Sequence, residues 1–212
     1  MRPASLPGGD AAARFPVQAA AGFLAQIDAG ARFEREPFCF SERYARASAL
    51  IARDVRCFPT TSIGRLFDTV AALAGFTVEQ TFEGQAAMWL EHLARSSGEV
   101  DPYPLAFENG ECDFRSALSA IVVDRLEGRA PCEIARAFHA GLARAIVGFS
   151  RTVESEAVVV SGGVFQNALL LELLLAELKD RLWFNAAVPP NDGGLSLGQA
   201  ALAAVAMGNG RL

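Results

Sequence analysis

Two glycine-containing loops in the last third of the chain carry the residues that are the best candidates for ligand binding or catalysis. The first is Ser161-Gly162-Gly163, which follows an apolar run at residues 157–160 and precedes a leucine-rich segment. A buried strand, two glycines and a helix form the arrangement in which backbone N–H groups can face an anion. The alternative is a tight turn that needs glycine only for its backbone angles, because a pair of glycines alone is a weak signal.

Asn167 follows this loop at the predicted start of the leucine-rich helix. There its side chain can cap backbone donors or direct its amide towards a ligand hydroxyl. Both interpretations keep Asn167 beside the candidate anion site.

The second loop is Asn191-Asp192-Gly193-Gly194, which comes directly after Pro189-Pro190. It follows a second predicted strand, and ligands of open α/β sheets usually bind at the carboxyl ends of parallel strands. A carboxylate beside a phosphate-sized anion pocket is best explained by a divalent metal between the two. The alternative is that Asp192 caps the final helix.

Other polar residues have simple structural explanations. Arg65 and Asp68 are three apart on a predicted helix and can pair on its surface. Glu83-Gly84 resembles a helix start with a favourable acidic residue. Neither His92 nor His139 has a partner at metal-ligand spacing, and His139 is expected to be packed in an apolar helix. The sequence does not favour a serine hydrolase or a Cys/His enzyme.

Composition limits the class of protein. The chain has 212 residues, 51% of them hydrophobic, and a net charge of −5, which argues against nucleic acid as a partner. Its four cysteines form no CxxC pair, a pattern typical of reduced cytosolic thiols. No stretch resembles a signal peptide or a membrane span, so we expect a cytoplasmic protein without a membrane partner.

The elements that position these residues are predicted to be mostly helical. The first ten residues are turn-rich and are expected to lie on the surface, and a turn at Asn109-Gly110 favours a hairpin. The last sixty residues alternate strand, helix, strand, loop and helix, which predicts an α/β fold with a C-terminal βαβα parallel-sheet segment. Helices are predicted at residues 11–29, 42–55, 63–75, 83–95, 116–127 and 131–150, with a linker at 96–104.

Several of these motifs occur together in one known family: LPGGDAA, TSIGRLFDTVAALAG, FEGQAAMWLEHLA, IARAFHAGLA, SGGVFQN and PPNDGGLSLGQAA. The chain resembles the C-terminal part of the HypF carbamoyltransferases, which mature nickel–iron hydrogenases. It is most similar to the second lobe of their Kae1-like (TsaD-like) domain, within an actin-like ATPase fold. The resemblance covers residues 1–212, with a helical part at 11–95 and an α/β nucleotide-binding part at 105–212.

The resemblance implies a chemistry and a set of site residues. The family uses carbamoyl phosphate and ATP to form carbamoyl-adenylate, then transfers the carbamoyl group to the C-terminal cysteine of the partner HypE. By analogy, Gly162 and Gly163 approach the phosphates, and Asn167 lies near the same nucleotide. Asp192 would complete a divalent metal site. The ribose side would be formed by Asp68, Glu83 and Gly84.

The chain also departs from complete family members. It lacks the acylphosphatase-like, zinc-binding and YrdC-like segments and the first Kae1-like lobe, whose histidine pair supplies the other metal ligands. We therefore expect a truncated form or fragment that binds metal weakly and acts only when missing HypF segments, or a second copy, complete it. A non-catalytic scaffold module of the same fold is the alternative. A kinase of the sugar-kinase type is disfavoured, because the first lobe's phosphate loops have no counterpart.

Overall fold

The computed structural model describes residues 1–28, 33–108, 110–153 and 155–208. The chain forms two compact units, Met1–Val153 and Glu154–Leu212. The strands of the first unit are β1 (Ala4–Pro7), β2 (Cys57–Thr60), β3 (Ala106–Glu108) and β4 (Glu111–Asp113). Its helices are α1 (Ala11–Arg14), α2 (Pro16–Leu24), α3 (Glu42–Ala52), α4 (Ile63–Ala74), α5 (Gln85–Arg95), α6 (Arg115–Leu126) and α7 (Pro131–Thr152).

The N-terminal residues do not simply cover the surface, so that prediction is wrong. Strand β1 pairs antiparallel with β2, with Ala4 opposite Thr60, and Ala4 is buried. The strand packs on α2 so closely that a Cβ on Gly22 would lie 1.6 Å from the Ser5 carbonyl oxygen. The absence of a side chain at one helical position therefore allows the contact that buries β1.

Helix α4 lies at the centre of the first unit, packed against α2, α5 and α7. Its predicted ends are confirmed. The Ser62 hydroxyl accepts a hydrogen bond from the Arg65 N–H at 3.3 Å, and Gly75 ends the helix with a φ of 125°. The Phe67 ring meets Phe138 of α7 edge to face at 5.0 Å.

Two other helices are shorter than predicted because of local backbone geometry. The segment at 11–29 divides into α1 and α2 at Phe15, which is extended before Pro16. Helix α3 ends at Ala52, ahead of the positive φ of Asp54. Strands β3 and β4 form the predicted hairpin, although Asn109 of its turn lies outside the described residues.

The predicted linker at 96–104 lies inside the first unit, and its end is anchored. The Tyr103 N–H donates to the Ala137 carbonyl at 3.1 Å, and the Tyr103 hydroxyl donates to Asp124 Oδ2 at 2.5 Å. A Cβ on Gly141 would lie 2.4 Å from the Tyr103 carbonyl oxygen, so this segment runs directly over α7. His139 of the same helix is fully buried, as predicted.

The second unit contains β5 (Val158–Val160), α8 (Ala168–Leu178), β6 (Leu182–Phe184) and α9 (Leu195–Gly208), with short 3-10 turns between them. Strands β5 and β6 pair in parallel, with Val158 opposite Leu182, which confirms the predicted βαβα order. Leu170 and Leu174 of α8 are fully buried. Among the described residues, no helix combines the length and the apolar character needed to cross a membrane.

Candidate functional site

The two predicted loops lie side by side at the carboxyl ends of two paired parallel strands. Residues 161–163 follow β5, and residues 185–194 follow β6. The Gly162 N–H donates to the Pro190 carbonyl oxygen at 2.8 Å, so the backbones of the two loops are bonded directly. Gly162 has a φ of +102°, a region that favours glycine.

The glycines of the two loops differ in how much free space lies beside the backbone. A Cβ on Gly162 would meet no atom within 4 Å, and one on Gly163 would meet only Asn191 Cβ at 4.0 Å. By contrast, a Cβ on Gly194 would lie 2.6 Å from the Pro189 carbonyl oxygen. Gly194 is therefore required for packing, whereas Gly162 and Gly163 leave open space beside the chain. That space is what a phosphate group needs for close approach to backbone.

A 3-10 turn, Gly163–Gln166, begins directly at the open space. The first N–H groups of a helical turn have no acceptor within it, so Gly163 and Val164 are potential anion donors. Asn167 follows this turn and caps the N-terminus of α8, which is one of the two roles predicted for it. Its Oδ1 accepts from the Leu170 N–H at 2.8 Å, and the residue is 9% exposed.

Asp192 is exposed at the start of another 3-10 turn, Asp192–Gly194. The neighbouring Asn191 side chain accepts from the Gly193 N–H at 3.0 Å and so shapes the turn. Among the residues that the structure describes, no three His, Cys, Asp or Glu side chains form a group that could hold a metal ion. One carboxylate does not satisfy a divalent cation, so these residues do not form a complete metal site.

The first unit holds the other predicted site residues. Asp68 is 1% exposed and forms an ion pair with Arg65. Asp68 Oδ2 lies 2.6 Å from Arg65 Nη1, but the two groups are not oriented for a hydrogen bond. The predicted pair is therefore present, but its carboxylate is buried rather than on the surface. Burial raises the pKa of Asp68 to about 6, although Arg65 and the Gln80 amide both act to lower it.

Glu83, which is exposed, and Gly84, which is half-buried, form the corner before α5, and this helix begins two residues later than predicted, at Gln85. Gly84 has the left-handed φ of +79° at the N-cap and no side chain to cap the helix. Gln80 provides the missing acceptor, because its Oε1 accepts from the Ala86 N–H at 3.0 Å. Sequence reasoning missed Gln80, since a glutamine in a loop has no distinctive spacing.

Comparisons with known proteins identify the family of this chain. A family model described as "Carbamoyltransferase, Kae1-like Domain, second subdomain" matches residues 1–199. Carbamoyltransferase HypF of Rhodobacter capsulatus is 35% identical over 96% of this chain, which corresponds to 27% of the relative. A carbamoyltransferase HypF homolog of Cupriavidus necator is also 35% identical, over 94% of this chain and 55% of the relative.

Solved structures give the same result. The crystal structure of full-length HypF in its phosphate- and nucleotide-bound form matches 96% of this chain with a TM-score of 0.79 and 32% identity. HypF of T. kodakarensis matches 99% with a TM-score of 0.82, and at 24% identity it supports the fold. The chain spans 28% and 30% of these two structures. The chain belongs to the HypF carbamoyltransferase family and has the fold of the second subdomain of its Kae1-like domain.

Proposed function

We propose that this chain binds the nucleotide of a HypF-type carbamoyl transfer, either ATP or carbamoyl-adenylate. The observation that carries the proposal is the Gly162–Pro190 backbone hydrogen bond, which joins the open loop at residues 161–163 to the loop that carries Asp192, both at the ends of parallel strands. The family supports it, because a relative of the same fold is described in a phosphate- and nucleotide-bound form. The N–H groups at Gly163 and Val164 would donate to the phosphates.

The other predicted residues have supporting roles in this proposal. Asn167 fixes the start of α8 behind the phosphate loop through its capping bond. Asp192 contributes one oxygen ligand to a divalent metal whose other ligands come from a different segment. Of the residues that the family resemblance assigns to the ribose side, Asp68 is 1% exposed and has little surface for a ligand, whereas Glu83 is exposed.

The transfer itself follows from the family's chemistry. A thiolate at the C-terminus of a HypE-like acceptor attacks the carbamoyl carbon of carbamoyl-adenylate. A sulfur–carbon bond forms, the bond to the phosphate oxygen breaks, and AMP leaves with the electron pair. This chain would hold the leaving nucleotide while other HypF segments provide the remaining metal ligands and the opposite wall.

A second candidate, a non-catalytic docking module, is favoured by the apolar surface of the second unit. Helix α9 has no buried residue among those described, and Leu202 is 72% exposed and Val205 61% exposed. Trp183 of β6 is 63% exposed. Exposed apolar patches tend to bind partners. The missing HypF segments or a second copy would cover this surface under either function.

A reconstitution experiment separates the two candidates. The chain is mixed with ATP, carbamoyl phosphate and a HypE-like protein ending in cysteine, with and without the remaining HypF segments, and the acceptor's mass is measured. We expect carbamoylation only when the missing segments are present, and its loss in the Gly163→Val variant. Binding of the acceptor or segments without any transfer would support the docking module instead.

A further inference from the structure

A cavity of about 420 Å³ lies in the first unit, between α3 and residues of α1 and α2. Its wall includes Ala11, Gln18 and, on α3, Arg43, Ala47 and Leu50. Cavities of this size accommodate small organic ligands. We propose that this cavity binds a small organic anion, with its carboxylate or phosphate on the Arg43 guanidinium and its apolar part against Ala47 and Leu50. The site goes beyond the proposed function and uses none of the residues assigned to the nucleotide.

Two contacts hold the Arg43 guanidinium in place. Its Cζ lies 3.5 Å from the centre of the Phe15 ring, and its Nη1 donates to Gln18 Oε1 at 3.1 Å. Arg43 does not pair with any carboxylate of the residues that the structure describes. A guanidinium carries several N–H donors in a planar fork that matches the oxygens of a carboxylate or phosphate. Because Gln18 is an uncharged partner, Arg43 keeps both its charge and free donors for an anion.

The buried amide of Gln18 sets the position of Arg43, and the LPGGDAA motif makes room for this amide. Gln18 is 6% exposed, and its Nε2 donates to the Pro7 carbonyl at 2.8 Å. A carbonyl can only accept, so the amide turns its Oε1 towards Arg43. A Cβ on Gly8 would lie 2.6 Å from Gln18 Nε2, and the φ of +76° at Gly8 also favours glycine. The motif therefore helps to organise the charged wall of the cavity before a ligand binds.

The face of α3 that lines the cavity changes from charged to apolar along the helix. Arg43, Ala47 and Leu50 are four and then three residues apart, so their side chains share one face. Ala47 is 2% exposed, and Leu50 is half-buried. Arg46 also lines the cavity, but Glu42 balances its charge, with Glu42 Oε2 2.8 Å from Arg46 Nη2. The unbalanced charge of Arg43 beside an apolar wall fits an anionic head group with an apolar body.

Nitrogen–proton correlation NMR of the full chain tests the site by titration with hexanoate and hexyl phosphate. Hexanol and inorganic phosphate are the control probes, because each lacks one half of the expected ligand. We expect the organic anions to shift the amide signals of Arg43, Ala47 and Leu50 saturably, near millimolar strength. Both control probes should bind at least about tenfold more weakly. The organic anion that binds more tightly identifies the head group. No saturable shift with either anion, or equally tight binding of a control probe, would overturn the inference.

Substitutions at Arg43 separate a binding site from a purely structural contact between α2 and α3. Arg43→Lys keeps the charge without the planar fork, and Arg43→Gln loses both. Arg53→Gln is the matched control, because Arg53 is exposed at the C-cap of the same helix and does not line the cavity. We expect about tenfold weaker binding in Arg43→Lys, no binding in Arg43→Gln and unchanged binding in Arg53→Gln.

Thermal unfolding of the same variants gives the second readout. Unchanged ligand binding in Arg43→Gln, with or without a lower unfolding temperature, would show that Arg43 only packs the helices together. An equal loss of binding in Arg53→Gln would show a general effect of net charge. Either result would contradict the anion site.

Discussion

The Gly162 N–H donates to the Pro190 carbonyl oxygen at 2.8 Å, and this bond joins the loops that follow β5 and β6. The loops are far apart in sequence, and strand pairing brings them together. Gly162 also adopts a φ of +102°, so its position is specific to glycine. The chain therefore presents open backbone and an exposed carboxylate, Asp192, on neighbouring loops of one unit.

Gly194 and Gly198 provide a contrasting pair of glycine substitutions. We expect Gly194→Ala to destabilise the second unit by about 1–3 kcal/mol, because its Cβ would lie 2.6 Å from the Pro189 carbonyl oxygen. Gly198 lies in α9 with nothing within 4 Å of an added Cβ, so Gly198→Ala should be neutral or stabilising. Urea unfolding followed by Trp183 fluorescence measures both. Equal stability of the two variants would disprove the close packing of the loops.

Asp68 should make the protein more stable as pH falls. Its pKa is about 6 in the folded state and 3.8 in the unfolded chain, so the folded state holds the proton over a range in which the unfolded chain loses it. Stability from this group is complete below pH 3.8 and is lost as pH rises through 6, by on the order of 3 kcal/mol. Asp68→Asn should remove this dependence in denaturation measured from pH 7 to pH 4. A variant with the same pH profile as the parent would contradict the buried site.

The titration of His139 should change the stability of the protein in the opposite direction to that of Asp68, over nearly the same pH range. Burial lowers its pKa from 6.5 to about 4, so its stabilising contribution is present above pH 6.5 and is lost as pH falls towards 4. His139→Phe should therefore gain stability relative to the parent on acidification, whereas Asp68→Asn should lose it. Denaturation of both variants at the same pH values gives the comparison. Changes of the same sign would show that one of these two sites is not as described.

When the chain is studied by itself, helix α9 should tolerate a charged substitution. Leu202 is 72% exposed, so Leu202→Lys should change the free energy of unfolding by no more than about 0.5 kcal/mol. If missing HypF segments cover this helix, the same change should weaken their association. Denaturation tests the first point and co-purification with those segments tests the second. Strong destabilisation of the chain alone would mean that α9 is packed.

The βαβα segment and the capped helix α4 could be predicted from sequence because their signals are local. Three β-branched residues before Ser161-Gly162-Gly163 indicate a strand, and Ser62 and Gly75 mark the ends of α4. Strand β1 could not be predicted in this way. It is short, it contains Pro7, and its pairing and burial depend on the distant residues Gly22 and Thr60.

The candidate site was only partly accessible to the same reasoning. Glycine pairs and the Asp192 carboxylate are visible in a motif, but the burial of Asp68 depends on its neighbours in three dimensions. The contribution of Gln80 arises from bonds to Ala13 and Ala86, which precede and follow it on different helices. Local patterns contain no information about such a junction.

Calorimetric titration with ATP and Mg²⁺ tests the central claim most directly, using the parent chain, Gly163→Val and Gly198→Ala. We predict binding by the parent and by Gly198→Ala near micromolar strength, about −8 kcal/mol. Gly163→Val should fold normally, since its Cβ meets only Asn191 Cβ at 4.0 Å, and should lose binding because it fills the phosphate space. No binding by the parent at millimolar ATP, or equal binding by Gly163→Val, would contradict nucleotide recognition by these loops.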